Sequence, residues 1–439
     1  MFTLTTRLSM LRACLTKNSP FYVQYYINAR CNLMCKQCNI VESNSDAREA
    51  PLEDVEKIAR SLRKIGAGVV LLTGGEPFLR TDLPEMVRIF KKERLDVRLQ
   101  TAGMRVATEE ALRACVEAGA RDVNVSLDSL HESKQDYINS VPGSFREALE
   151  TIARISRVFP AKGSVLGLGC VLSRWNFREI PTVLRVATRI GWYLSLVPVH
   201  VTPLDKPRGF RSYDRSLLLR QEDHRELDRV LDKLSAMKKE GYLLFDSDRF
   251  LASAREYLKT GRPTWRNKGV CDSPSLYFAV RPNGDIAVCC DFKVPGVPLS
   301  LTDPDFPRAY RSGAFRGRVR KVAKACEGCH YGSYPEMTIF ARDPWAVVER
   351  TLLELRTRRA ARPALSGDEL RAIVAEEKAK DPGLYGATGG TDAELAKTVV
   401  AWTDPDGRKK LQQDYRAQRL AEGRIRGTPP REPLGGALK

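Results

Sequence analysis

The stretch Tyr22-Val-Gln-Tyr-Tyr-Ile-Asn28 is a β-rich run, and Cys31-Asn-Leu-Met-Cys35-Lys-Gln-Cys38 follows it almost at once, placing three thiols within eight residues. Three thiolates on one tight loop can ligate three irons of a four-iron cluster and leave the fourth iron open to a chelating ligand. The competing reading is structural zinc, with three sulfurs and a fourth ligand. No His follows closely, and gaps of three and then two residues are unusual for a zinc knuckle. The spacing therefore favours a cluster and leaves zinc open.

Working outward, short β-rich runs alternate with amphipathic helices. The pattern predicts strands at Tyr22–Asn28, Val69–Thr73, Asp96–Thr101, Asp122–Asp128, Val165–Ser173 and Trp192–His200. Leu52, Val55, Ile58, Ala59 and Leu62 form a helical stripe after Pro51, and Thr108 caps the helix that carries Leu112 and Cys115. Ser144 with Glu147, Ser366 with Glu369 and Thr391 with Glu394 have capping-box spacing. Six strands separated by helices imply parallel βαβ units and an α/β fold. Periodicity does not choose between a partial barrel and an open doubly wound sheet.

The second unit runs from Val69–Thr73 straight into Gly74-Gly75-Glu76-Pro77. Glycines there allow close backbone approach, and a carboxylate with exposed carbonyls can accept hydrogen bonds from an ammonium group. Together, Cys31/Cys35/Cys38 and Gly74–Pro77 resemble the radical S-adenosylmethionine (SAM) superfamily over roughly Phe21–His200. The resemblance implies a partial (β/α)6 TIM-like barrel and a catalytic [4Fe–4S] cluster whose open iron chelates SAM. Reductive cleavage would yield methionine and a 5′-deoxyadenosyl radical that abstracts a substrate hydrogen. It further implies that Gly74, Gly75, Glu76 and Pro77 meet the methionine ammonium, that Ser126 and Asp128 bind the ribose, and that Arg174 pairs with the carboxylate. The plain alternatives are a turn cap for Asp128 and a surface charge for Arg174. Where the family often has an aromatic residue before the third cysteine, this chain has Gln37. No catalytic residue beyond the cluster and the SAM site is assignable from sequence.

A second cysteine set follows. Asn283–Gly284 is a hairpin signal between Leu276–Val280 and Ile286–Cys290. The turn brings Cys289 back toward Cys271, and Cys326-Glu-Gly-Cys329 completes a closed four-thiolate site suited to electron transfer or structure. A zinc ribbon has the same description. This half resembles the SPASM/Twitch extension of radical SAM enzymes. With no cysteine after Cys329, the single-cluster Twitch form fits better, which implies one auxiliary [4Fe–4S] cluster on Cys271, Cys289, Cys326 and Cys329. Cys290 is a spare thiol, and His330 is expected near the cluster or at the surface.

The 439 residues divide into a basic helix at 1–20, the barrel at 21–212 and a helical connector at 213–265, followed by the Twitch-type β-hairpin/helix unit at 266–342 and a helical extension with a disordered basic tail at 343–439. Seven of the eleven cysteines have metal-ligand spacing, which suggests a reducing cytoplasm. The first acidic residue is Glu42, and Leu4–Leu15 reads as an amphipathic helix rather than an export signal. A net charge of +18 admits an anionic substrate or peripheral membrane contact. An Arg-rich solvated surface is the simpler reading, and without basic runs interleaved with aromatics no specific nucleic acid is expected. Peptide-modifying relatives often carry a leader-binding domain, for which residues 1–20 leave no room. The expected substrate is therefore a small molecule or a lipid or sugar intermediate that is oxidised or rearranged, with peptide modification as the alternative. The resemblance also implies an external electron donor such as flavodoxin or ferredoxin. A non-catalytic iron–sulfur or zinc protein is the alternative of another class.

Overall fold

We describe a computed structural model that covers residues 3–200, 217–289, 299–359 and 362–385, apart from residues 39, 41–43, 45 and 46. Its centre is one eight-stranded sheet. Strands β1 (Tyr22–Tyr26), β2 (Val69–Thr73), β3 (Asp96–Thr101), β4 (Asp122–Ser126), β5 (Val165–Leu172) and β6 (Tyr193–Pro198) lie in chain order, each parallel to the next. Each ends at or before the limit its sequence predicts.

The intervening helices form where the apolar spacing requires them. Helix α1 (Leu4–Thr16) precedes β1, and α2 (Leu52–Ile65) buries Val55, Ile58, Ala59, Leu62 and Ile65 against the sheet. Each of these side chains but Ala59 contributes about 1.5–3 kcal/mol on burial. Gly66 ends α2 at φ +91°, a left-handed stop that glycine takes without strain. Helices α3 (Leu83–Lys92), α4 (Glu109–Glu117), α5 (Glu132–Asn139), α6 (Ser144–Val158) and α7 (Ile180–Arg189) complete the layer. Thr108 caps α4 as expected. The capping box expected at Ser144 does not form. Gly143 is the cap, the Ser144 hydroxyl donates to Asp136 Oδ1, and Glu147 instead pairs with Arg154.

Beyond α8 (His224–Glu240) and α9 (Asp248–Thr260), strand β7 (Tyr277–Val280) returns to the sheet. It pairs in parallel with β1, Tyr22 opposite Tyr277, and carries β8 (Ile286–Ala287) antiparallel at the edge through the predicted hairpin. The second cysteine-bearing unit is thus built onto the barrel's own sheet. Helices α10 (Phe306–Arg311), α11 (Gly313–Ala325), α12 (Tyr334–Arg342) and α13 (Pro344–Arg359) follow. Helix α14 (Gly367–Ala379), opened by the expected Ser366–Glu369 box, docks on α6 and α7. The Thr391–Glu394 box, the basic tail and Cys290 lie outside the described residues. Among the described residues, no helix is long and apolar enough to cross a membrane.

Candidate active site

The carboxyl ends of the strands surround a cavity of about 370 Å³. Gln24, Thr73, Gln100, Thr101, Ser126, Val171 and Val197 line it from all six parallel strands, so the sheet wraps around it as a partial barrel. Cys31, Cys35 and Cys38 form one wall. Their loop is tied to the end of α5, where the Met34 and Lys36 amides donate to the Asn139 and Ile138 carbonyls at 3.1 and 2.8 Å. Cys35 Sγ donates to Asn139 Oδ1 at 3.3 Å.

Burial and the neighbouring Glu76 carboxylate push the Cys31 thiol up to about 12. Burial, with Cys38 and Cys31 close by, pushes Cys35 well above its ordinary value. Three partly buried thiols crowded in this way carry negative charge more readily when cations offset it, as bound iron would. Among the described residues, no group of three or more His, Cys, Asp or Glu side chains closes on a single-ion site. Three sulfurs facing a roomy cavity instead fit a larger polynuclear group with one open corner.

The Gly-Gly-Glu-Pro turn packs directly on this loop. A Cβ on Gly75 would lie 1.9 Å from Arg30 O, and one on Gly74 2.7 Å from Asn28 O. The close approach these glycines permit is therefore to the cysteine loop's own backbone. Asn28 clasps the turn, its Oδ1 accepting from Gly75 N at 3.1 Å and its Nδ2 donating to Glu76 O at 2.8 Å. Gly74 and Gly75 line the cavity. Glu76 is buried, and its carboxylate accepts from Thr101 Oγ1, the Ala102 amide and the Phe78 amide. It holds the ends of β2 and β3 together. Pro77 opens a 3₁₀ turn just behind it.

Ser126 and Asp128 also face the cavity. Asp128 Oδ1 accepts from Val171 N at 2.7 Å and Oδ2 from Gln37 Nε2 at 2.8 Å, and burial pushes its carboxyl up to about 6. Gln37 thus braces the third cysteine's approach to the fourth strand. Arg174 lies away from the cavity residues and ion-pairs with Asp223 at 2.8 Å and Glu222 at 3.0 Å. Asn139, Gln100, His200 and Tyr331 also belong to the wall. Sequence reasoning missed them. Gln100 and His200 fall in predicted strands near their carboxyl ends, which is the one available signal. Asn139 and Tyr331 arrive by tertiary packing.

The second set gathers behind Tyr331. Burial raises Cys271 well above its ordinary value, with Cys329, Cys289 and Cys326 adding to the rise. Gly328 turns the Cys326–Cys329 pair at φ +93°, where Arg266 donates to the carbonyls of Cys326 and Glu327 and Trp265 Nε1 to that of Cys329. His330, expected near a cluster or at the surface, is fully buried between Phe250 and Tyr257, and burial pushes its pKa down to about 3. Rings connect the two sites. His200 lies 5.4 Å from Tyr331 and 5.6 Å from Tyr257, and Tyr257 lies 5.7 Å from His330.

The fold is thus a partial (β/α) barrel with three thiols at its carboxyl mouth and a SPASM/Twitch-like region beside it. Residues 25–187 match the Radical SAM superfamily model, so this stretch of the chain carries a Radical SAM superfamily domain. A probable GTP 3′,8-cyclase of Methanococcus maripaludis is 29% identical over 175 residues, 39% of this chain and 56% of that protein. The chain thus spans about half the length of the curated relatives it matches. Streptococcus suis SuiB bound to precursor peptide SuiA superposes with a TM-score of 0.52 at 15% identity, covering 75% of this chain and 76% of that one. The anSMEcpe protein with bound AdoMet gives 0.52 at 14% identity, covering 87% and 98%.

Proposed function

We propose that the chain cleaves SAM reductively and oxidises or rearranges a small-molecule intermediate. The observation that carries this reading is the single cavity onto which Cys31, Cys35, Cys38, Gly74, Gly75, Ser126 and Asp128 converge. With a cluster and SAM bound there, the site would supply a 5′-deoxyadenosyl radical able to take one hydrogen atom from a substrate. Cys31, Cys35 and Cys38 would hold the cluster, and Asn28 and Glu76 fix the turn that faces the methionine end. Asp128, oriented by Gln37 and Val171, meets the ribose. An external one-electron donor, such as flavodoxin or ferredoxin, starts the reaction.

Net oxidation requires the substrate to lose a proton and an electron besides the hydrogen atom. His200 faces the cavity with Nδ1 held by Tyr257, and it takes the proton. Cys271, Cys289, Cys326 and Cys329 would hold an auxiliary [4Fe–4S] cluster, which would supply an acceptor for the electron. The crowding of these thiols and the clasp by Arg266 and Trp265 support that assignment. A small substrate is favoured by the polar interior below the cavity, where Gln24, Gln100, Asn124 and Ser126 offer hydrogen bonds above the Arg98–Asp122 pair. The curated relative named for GTP points the same way.

The test is anaerobic reconstitution followed by iron and sulfide counts and detection of 5′-deoxyadenosine. Two clusters correspond to about eight irons per chain, and replacing Cys31, Cys35 and Cys38 with Ala should remove about half and abolish SAM cleavage. Replacing Cys326 and Cys329 should remove the other half and spare cleavage. Zinc without labile sulfide in the second site would refute the auxiliary cluster, and no SAM cleavage by the loaded protein would refute the enzyme reading.

A further inference from the structure

Among the described residues, every large hydrophobic side chain left exposed, except Leu218, lies on α1 or α13. Leu4, Leu8, Leu11 and Leu15 are 73, 57, 55 and 73% exposed. At about 100° per residue their spacing stacks them in one narrow stripe. Thr6, Ser9 and Ala13, on the opposite side of α1, are the residues it buries. The helix is therefore inverted relative to an ordinary amphipathic helix, with small and polar groups inward and leucines toward solvent.

The inversion is firmly held. Thr3 N and Oγ1 donate to Asp96 Oδ2, Thr6 Oγ1 donates to Gly68 O at 2.8 Å, and Ser9 Oγ donates to Gly66 O at 2.7 Å. These bonds lay α1 across the amino-terminal ends of β2 and β3, at the pole opposite the cysteine cavity. Beside it, Met10 of α1 and Leu353 of α13 line one apolar cavity at the base of the barrel. From α13 come Trp345, Val348 and Leu352, 65, 42 and 51% exposed.

Charge selects the occupant. Arg7 and Arg12 are exposed and flank the leucine stripe on its two sides, and α1 contains no acidic residue. At its carboxyl end, Arg316 bonds to Asn18 and Arg311 to Lys64 O, adding cations around Lys17. Asp96, the acid nearest its start, is engaged by Thr3 and Lys91. A second copy of this chain would bring the same cations against them, whereas an anionic lipid surface complements both the leucines and the arginines.

We propose that the α1 face docks the protein on an anionic membrane surface. Leucines enter the acyl boundary and arginines meet the headgroups, while the cysteine cavity at the other pole faces away from the bilayer. This proposal does not depend on the reaction assigned above.

The test is flotation of the full chain with phosphatidylcholine vesicles, with and without phosphatidylglycerol. Binding should be at least about tenfold stronger on anionic vesicles and should weaken as salt is raised. Leu8→Glu with Leu11→Glu should abolish it, and Arg7→Glu with Arg12→Glu should reduce it about tenfold or more. These side chains are exposed, so unchanged thermal denaturation is expected and excludes misfolding. Absence of binding to anionic vesicles overturns the proposal, as does binding indifferent to Leu8→Glu/Leu11→Glu. A dimer that these substitutions split, with no vesicle binding, assigns the face to a second copy instead.

Discussion

His200 Nδ1 lies 3.1 Å from Tyr257 Oη. This contact joins a side chain of the cysteine cavity to α9, whose Tyr257 also packs on the His330 ring beside Cys329. Tyr257→Phe keeps the ring contacts and removes only the hydroxyl. One hydrogen bond of this kind is worth about 0.5–1.5 kcal/mol, so turnover should fall about two- to thirteenfold. SAM affinity should stay unchanged, because Tyr257 is not among the residues that line the cavity. Product formation measured against 5′-deoxyadenosine should show uncoupling, with 5′-deoxyadenosine released without product.

Gly75→Ala tests the packing of the turn on the cysteine loop. Its Cβ would overlap Arg30 O, which is backbone and cannot rotate away. The loop must shift, at a cost of about 2 kcal/mol or more. A lower melting temperature together with loss of iron from the first site is the expected pair of results.

Arg174→Ala separates the resemblance from the observed geometry. Because Arg174 pairs with Asp223 and Glu222, the substitution should leave SAM cleavage within about threefold of the parent while destabilising the protein by about 1 kcal/mol. A hundredfold rise in the SAM concentration needed for half-maximal cleavage would show that the residue swings into the site.

Asp246 is buried at the base of the barrel, accepting from Leu196 N at 2.8 Å, and burial beside Glu336 pushes its pKa up to about 8. Its ordinary value is 3.8. Between about pH 4 and pH 8 the unfolded chain has released this proton while the folded chain keeps it, so stability falls as pH rises through that window. Asp246→Asn should flatten the slope. Thermal denaturation should find the variant relatively more stable at pH 8.5 than at pH 5, by several degrees.

Glu377 of α14 is almost fully buried and is held by Arg185 at 2.8 Å and Arg189 at 3.1 Å. Arg185→Ala with Arg189→Ala leaves that carboxylate with Lys380 at 2.7 Å as its remaining cation partner among the described residues, at a cost of roughly 1–2 kcal/mol. Helix α14 should then become protease-sensitive, while the barrel core keeps its hydrogen-exchange protection.

Much of the barrel was legible because its strands are short apolar runs ended by Gly, Asp or Cys, and its helices carry clean stripes. The cysteine spacings were legible for the same reason, since ligand loops are local. The sequence misled where a contact depends on the third dimension. Ser144 had the pattern of a cap, but Asp136, eight residues earlier, offered its hydroxyl a better partner. Gly74 and Gly75 suggested a ligand cradle, and the group nearest them is the Asn28–Cys31 backbone. The pairing of β7 with β1 joins residues about 250 apart in the chain, and no local signal encodes that.

That pairing has a mechanical consequence. β1 leads into the first cysteine loop, and β7 leads through the hairpin to Cys289, so the two thiol sets hang from adjacent rungs of one hydrogen-bonded ladder. They are not beads on a flexible string, and the ladder holds the distance between them. The same ladder makes the second unit hard to remove, since truncation before Tyr277 would strip β1 of its neighbour and bare a buried strand edge. The second cysteine-bearing unit is thus a structural wall of the barrel as well as its companion.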